Sequence, residues 1–364
     1  MERRKLIRNA GAGTVAAVAL AAPAIAQSAP EVKWRLTSSF PKSLDTLYGG
    51  AELFAKTVAE LSDNKFQIRT FAAGEIVPAL QVADAVQNGT VECGQTASYY
   101  YFGKDPTFVL ETGVPFAMNQ RQMFAWLMHG GGLELMRDYY KQYNFTSYIF
   151  GGTGAQMGGW FRKEINTVED LKGLKFRVAG FAGEILRRLG VIPQQIAAGD
   201  LYPALEKGTI DAAEWVGPYD DEKLGLQKVT KYYYYPGWWE GGSVLSLYVN
   251  LKALDALPPL YKKILEVAAD QVTAWMTPKY DAVNPNALKR LVAGGTQLKP
   301  FPRPVLEACF DVAFKYYDEI SAQNPAFKKV YDSMKAFRTD QNLWFRVAEN
   351  TFDNFNFLMS SRGR

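Results

Sequence analysis

Asp200-Leu-Tyr-Pro-Ala-Leu-Glu-Lys-Gly208-Thr-Ile-Asp-Ala-Ala-Glu214-Trp215-Val-Gly217-Pro-Tyr219 holds a helix end, a strand and a turn in one short run. Pro203 sits where a first helical turn tolerates it, and Gly208 supplies the left-handed residue that closes a helix. Thr209 to Ala213 is β-prone and mostly apolar. Glu214 and Trp215 follow at the carboxyl end of that strand, where open α/β sheets bind their ligands. The pattern A-[VL]-x-x-G-T-[VI]-[ED] occurs twice, at 85–92 and at 204–211. The first copy runs into Ser98-Tyr99-Tyr100-Tyr101 and the second into Glu214-Trp215. Two similarly built lobes facing each other are the expectation.

Working outward, strand-like alternation recurs at Val32–Ser39 and Phe66–Phe71, with strands also at 90–97, 146–150, 174–178 and 243–249. Helical spacing covers 46–61, 79–87, 123–143 (broken by Gly130 to Gly132), 183–189 and 260–275, and the chain from about Pro304 onward is helical with kinks. β-loop-α alternation predicts largely parallel sheets covered by helices. No low-complexity linker separates the lobes, so the chain is expected to cross between them several times. The boundaries read as 27–150 with 239–280 for the first lobe, 151–238 with 281–305 for the second, and 306–364 for a C-terminal helical segment.

The chain has 364 residues, 48% of them hydrophobic and 14% aromatic, which suits a packed globular protein of two domains. Residues 1–26 read as a cleaved leader. Arg3-Arg4-Lys5 precedes an Ala/Val-rich run that ends in Ala24-Ile25-Ala26, and the paired arginines suggest the twin-arginine route. The periplasm is the expected destination. Most of the net charge of +4 lies in that leader, so the rest is close to neutral and carries no nucleic-acid footprint. Cys93 and Cys309 fall on apolar elements and read as two buried free thiols, although an oxidising compartment would permit pairing.

The single histidine, His129, sits beside three glycines and reads as a surface residue at a helix end. The G-x-S-x-G, H-E-x-x-H and C-x-x-C patterns and the phosphate-loop motifs do not occur. A secreted acid-base enzyme such as a lyase would have to rely on carboxylates alone; a structural or adhesive protein is disfavoured by the lack of further repeats. What remains is a recognition set. Arg177 ends an apolar strand and can hold a carboxylate. Gln156 follows a Gly-rich turn and offers both a carbonyl oxygen and an amide donor. Glu214 and Glu240 lie among aromatics and glycines, where burial is costly unless compensated. If these converge on an anionic substrate, negative charge exceeds positive, and the balance calls for protons or a cation. Acid, amide and backbone oxygens suit a hard cation.

V-K-W-R-L-T-S-S-F-P at 32–41, G-G-T-G-A-Q-M-G-G-W-F-R at 151–162, L-K-G-L-K-F-R at 171–177 and I-D-A-A-E-W-V-G-P-Y-D-D at 210–221 together resemble the extracytoplasmic solute receptors of tripartite ATP-independent periplasmic (TRAP) transporters, and within them the branch that binds 2-oxo acids such as pyruvate. The resemblance covers essentially the whole chain after the leader. It implies an α/β fold of two lobes, with a long connecting helix and an extended C-terminal helix, closing on an organic acid. It implies that Arg177 binds the acid's carboxylate. It also implies that Gln156, Glu214, the Trp215 carbonyl and, more weakly, Glu240 hold a cation, with sodium expected and calcium the alternative. Phe40, Tyr101 and Trp238 would line the cleft. The expected partners are TRAP membrane permease subunits and a second copy of the chain, embraced through C-terminal helices. Lactate, a branched oxo acid or an aromatic acid are the competing ligands.

Overall fold

The structure, a computed structural model, describes residues 30–362; the leader read in residues 1–26 lies outside the described residues. Strands form where the sequence alternates or turns wholly apolar. In chain order they are β1 (Val32–Ser38), β2 (Phe66–Phe71), β3 (Cys93–Thr96), β4 (Phe145–Gly152), β5 (Gly159–Phe161), β6 (Lys175–Arg177), β7 (Ile192–Gln194), β8 (Ala212–Ala213), β9 (Tyr232–Tyr235), β10 (Val244–Asn250) and β11 (Gln297–Pro300).

They form two sheets, β2-β1-β3-β10-β4 and β11-β9-β5-β8-β6-β7. Read from opposite ends, the two share one plan. β1 pairs in parallel with β2 and β3, as β6 does with β7 and β8. One antiparallel strand then follows in each, β10 beside β3 and β5 beside β8. The repeated sequence pattern is the local expression of this likeness. The helices Val82–Gln87 and Ala198–Glu206 each stop before a glycine at positive φ, Gly89 at 71° and Gly208 at 70°. In both copies the next two amides return to one alanine carbonyl: Thr90 and Val91 to Ala85, and Thr209 and Ile210 to Ala204.

The helix Leu47–Leu61 buries Leu47, Ala51, Phe54 and Val58, one face at i, i+4, i+7 and i+11. Each large apolar side chain so buried stabilises the fold by about 1.5–3 kcal/mol. Leu61, at the helix end, stays exposed. Two other helices depart from expectation. Ala198–Glu206 starts before Asp200, so Pro203 lies inside it. The ring there crowds the carbonyl four residues back, which belongs to Gly199, a residue with no side chain to add to the clash. Pro259–Ala293 runs through Pro278 and Pro285 rather than stopping near Trp275. Its buried face, including Tyr261, Ala268, Val272, Met276 and Tyr280, supplies packing that outweighs the two lost backbone donors.

The chain passes between the sheets three times: along 153–158 from β4 to β5, along 236–243 from β9 to β10, and through the helix Pro259–Ala293 on its way to β11. The two short crossings run side by side. Thr153 N–H donates to the Ser243 carbonyl at 3.1 Å, Gln156 N–H to the Glu240 carbonyl at 3.1 Å, and Gly237 N–H to the Gln156 carbonyl at 2.9 Å. A Cβ on Gly237 would lie 2.7 Å from the carbonyl oxygens of Gln156 and Met157, so only glycine permits this approach. The tail comprises the helices Arg303–Gln323, Pro325–Val347 and Glu349–Ser360. Cys93 and Cys309 are both buried free thiols. His129 ends the helix Gln120–His129 in an exposed position. Among the described residues, no helix is long and apolar enough to cross a membrane.

Candidate functional site

Register brings Arg177 and Glu214 together. β6 and β8 run parallel with Arg177 opposite Ala213. The next residue, Glu214, donates its N–H to the Arg177 carbonyl at 3.1 Å. The Arg177 side chain turns back to the same place. Its Nη1 donates to the Glu214 carbonyl and to Glu214 Oε1, both at 2.5 Å, and its Nε to the Ile196 carbonyl at 3.0 Å. Glu214 Oε1 also accepts the Ala179 N–H at 3.2 Å. Both side chains are almost wholly buried, at 1% and 0% exposure. The guanidinium lies against the Trp215 indole, 4.9 Å from the ring centroid. Arg177 Nη2 makes no hydrogen bond among the described residues.

Gln156 reaches this place from the first crossing and Glu240 from the second. The Gln156 amide donates to Thr153 Oγ1 at 3.2 Å and to Ser243 Oγ at 3.0 Å, which fixes the orientation of its carbonyl oxygen. Ser243 Oγ in turn donates to Glu240 Oε2. Two buried oxygens are left without any donor: Gln156 Oε1 and Glu214 Oε2. No hydrogen bond reaches the Trp215 carbonyl among the described residues. Buried acceptors with nothing to accept are costly, roughly 1–3 kcal/mol each, and a bound ligand, ion or water is what satisfies them. Among the described residues no cluster of three or more His, Cys, Asp or Glu stands ready for a metal. The acid, amide and backbone oxygens present suit a hard cation held by a mixed set of ligands.

The electrostatics agree. Burial pushes the Glu214 carboxyl up to about 7, against the opposing pull of Arg177. Burial and then the neighbouring Glu214 push Glu240 up to about 8. Two acids that resist ionisation, served by one guanidinium, form a place where added positive charge is favoured.

A small cavity, with about 10 Å³ open to a water-sized molecule, adjoins these groups. Phe40, Leu47, Tyr99, Tyr100, Gln156 and Trp215 are among its walls. Two expected wall residues are not. Tyr101 points into the core of the first sheet's layer, where its hydroxyl pairs with Thr96 Oγ1 at 2.8 Å and accepts the Ala83 N–H at 3.1 Å. Residues 98–101 form a single tight turn at about three residues per turn; Tyr99 and Tyr100 face the cavity, and Tyr101 is rotated away from it. Trp238 stacks on Phe116 at 4.9 Å, and Phe116 meets Phe310 of the tail at 5.3 Å, so its ring is joined to the first tail helix through Phe116. Sequence reasoning also passed over Thr153 and Ser243. Ser243 stands three residues beyond Glu240, a spacing that offers a hint; Thr153 offers none before the two crossings are seen side by side.

Contacts between segments that follow strands of the two sheets complete the enclosure. Asp45, on the loop after β1, pairs with Lys223 of the helix Pro218–Leu224 and accepts from Lys279 at 3.1 Å and from the Tyr219 hydroxyl at 3.2 Å. Gln195, just past β7, donates to the Tyr100 carbonyl at 2.9 Å. Phe102 meets Phe181 edge to face at 5.3 Å.

A sequence profile described as bacterial extracellular solute-binding protein, family 7, matches residues 37–324. The chain belongs to that family. It is therefore a solute-binding receptor and not an enzyme. It is 48% identical, over 98% of its length and 99% of the relative's, to the monocarboxylate 2-oxoacid-binding periplasmic protein of Nostoc sp. strain PCC 7120. Among solved structures, a TRAP transporter solute-binding protein from Bordetella bronchiseptica superposes with a TM-score of 0.91 at 50% identity, covering 92% of this chain and 100% of that one. It is described as a mixed-occupancy dimer with copurified calcium and picolinate in the active site. A TRAP periplasmic solute-binding protein from Pseudoalteromonas atlantica, with bound sodium and pyruvate, superposes with a TM-score of 0.87 at 40% identity, covering 89% and 99%. The receptor thus has the two-sheet α/β architecture of the TRAP solute-binding proteins, with its helical tail.

Proposed function

We propose that this receptor captures a short 2-oxo monocarboxylate such as pyruvate together with a cation, in the periplasm, and delivers it to a TRAP membrane permease. The observation that carries the reading is the pair of buried, donorless oxygens, Gln156 Oε1 and Glu214 Oε2, beside a buried guanidinium. Among the described residues Arg177 is the one buried positive group at this place, and its guanidinium is the group suited to take a carboxylate. Glu214, Gln156 and the Trp215 carbonyl are the groups suited to the cation, with Glu240 behind them through Ser243. When bound, the ion supplies the positive charge that lets both acids stay ionised next to an anionic ligand.

Pyruvate in one relative and picolinate in another share one feature, a carboxylate with an acceptor atom on the adjacent carbon. Lactate has such an atom too, in its hydroxyl oxygen; a 2-oxo acid is favoured because relatives of 37–48% identity are described as binding one, and small aromatic acids of the picolinate type are the second reading. Sodium and calcium are both compatible with an all-oxygen set.

The lobes of this reading are 27–150 with 239–280 and 151–238 with 281–305, hinged on the crossings and closing by a population shift towards the ligand-bound state. Residues 306–364 form the tail. Leu343, Trp344, Val347, Phe352, Phe355, Phe357 and Leu358 are all more than half exposed there, a row of apolar side chains that a second copy of the chain would cover.

Titration calorimetry of pyruvate into the receptor, in sodium chloride and in tetramethylammonium chloride, tests the reading. Binding should weaken by about tenfold or more without the small cation, as expected for an ion that neutralises a buried acid. Absence of pyruvate binding in both salts refutes the ligand, and equal affinity in both refutes the cation.

A further inference from the structure

The helix Pro218–Leu224 carries two buried acids in its first turn, and neither has a place in the site so far. Asp220 accepts the Tyr280 hydroxyl at 2.6 Å from the long helix. Asp221 has a fuller set of partners. Its Oδ1 accepts the N–H groups of Val216 and Gly217, each at 3.1 Å. Its Oδ2 accepts Trp160 Nε1 at 3.0 Å and the Tyr233 hydroxyl at 2.7 Å. Four donors fill a carboxylate's capacity, and the side chain is wholly buried.

Those partners have a pattern. Val216 and Gly217 lie directly after Glu214 and Trp215. Trp160 and Tyr233 stand on β5 and β9, and their rings stack at 4.0 Å. Asp221 thus ties the loop that presents Glu214 and the Trp215 carbonyl to the rigid face of the second sheet. The Val216 carbonyl accepts the Met157 N–H at 3.0 Å, so the same loop is tied to the crossing that carries Gln156. One buried carboxylate sets the relation between the three oxygen groups suited to the cation. Its negative charge, close enough to Glu214 to bear on that carboxyl, adds to the field that favours a cation there.

We propose that Asp221 is a positioning residue for the cation site: it holds the 214–217 loop in register with Gln156 and touches neither the acid nor the ion. The inference rests on the function proposed above. A group one shell out from a metal's ligands commonly changes metal affinity by about 10–100-fold. An asparagine at this position keeps the shape but loses the charge and cannot accept from all four donors.

The test measures the sodium concentration that half-saturates binding of pyruvate, with ionic strength held by tetramethylammonium chloride, in wild type, Asp221→Asn and Tyr233→Phe. Asp221→Asn should raise the sodium requirement about tenfold, while saturating sodium restores pyruvate affinity to near the wild-type value. A merely structural role would lower pyruvate affinity at every sodium concentration alike. Tyr233→Phe keeps the charge and removes one donor, so it should raise the requirement by about threefold. It decides the matter if Asp221→Asn fails to fold. An unchanged sodium requirement in the folded variants, or a loss that saturating sodium does not restore, overturns the role of Asp221 alone. A wild type that binds pyruvate without regard to sodium or calcium overturns the parent reading and this inference with it.

Discussion

Replacing Arg177 by methionine, alone and together with Glu214→Gln, separates what the buried ion pair does for stability from what it does for binding. Methionine fills the space of the guanidinium's stem but donates nothing, leaving the Ile196 and Glu214 carbonyls without their donor and Glu214 Oε1 with the Ala179 N–H alone. Breaking one side of a buried pair costs about 3–5 kcal/mol when the remaining charge is stranded. Here the remaining charge has an escape. Glu214 is pushed up to about 7 even with Arg177 in place, and without the guanidinium it takes a proton more readily still. The expected loss of unfolding free energy is therefore about 3 kcal/mol at pH ~8 and smaller at pH ~6, where the acid is neutral in any case. The double variant, with a neutral amide facing a thioether, should recover most of that loss, because desolvating the original pair offset much of its attraction. Binding should not recover. A carboxylate that loses charge-assisted hydrogen bonds worth about 1.5–3 kcal/mol each should bind at least a hundredfold more weakly, at about 1.4 kcal/mol per tenfold. Urea unfolding at both pH values gives the stabilities, and pyruvate calorimetry in saturating sodium gives the affinities. A double variant that binds pyruvate within about threefold of wild type, well below the loss these contacts imply, refutes the role given to Arg177.

Asp45→Asn should speed pyruvate dissociation about fivefold, because it weakens contacts to Lys223, Lys279 and Tyr219 that as partly exposed pairs contribute about 1 kcal/mol together; stopped-flow tryptophan fluorescence reads the rate, and an effect that survives molar salt would contradict an ionic latch. The ligand-free receptor should lose stability as pH rises. Burial before any other cause raises Glu214 to about 7, Glu240 to about 8, Asp220 to about 7 and Asp221 to about 6. The folded chain thus holds protons that the unfolded chain releases from about pH 4 upward, and stability falls through the window that ends near pH 8. A urea midpoint that is flat or rising between about pH 5 and pH 8 would contradict this. Removing residues 343–364 strips away the exposed apolar row of the tail and should yield a monomer by light scattering; a mass unchanged from that of a full-length dimer would place the interface elsewhere.

The sequence by itself carried the local rules. The helix-glycine-strand unit at 85–92 and 204–211 is set by Gly89 and Gly208, which can adopt positive φ where other residues resist it, and its repetition revealed two sheets of one plan. The chemistry of the site was legible for a similar reason: an arginine at a strand end, acids among aromatics and an amide after a glycine turn are costly to place at random, and register alone then sets Arg177 beside Glu214. Which way a side chain faces was not legible wherever the backbone leaves a regular period. Tyr99, Tyr100 and Tyr101 are chemically equal, and only the tight turn sends two to the cavity and one to the core. Trp238 has the composition of a cleft wall, yet the tail helix, distant in sequence, gives its ring a better partner through Phe116. The helix through Pro278 and Pro285 exists because packing along its buried face overrides a local preference to stop. Asp221 reads as one more acid in a helix's first turn until four donors from three separate segments meet on it. Hydrogen-bond geometry between segments far apart in sequence exists only once the chain has folded, so residue type fixed the chemistry and tertiary contact fixed its direction.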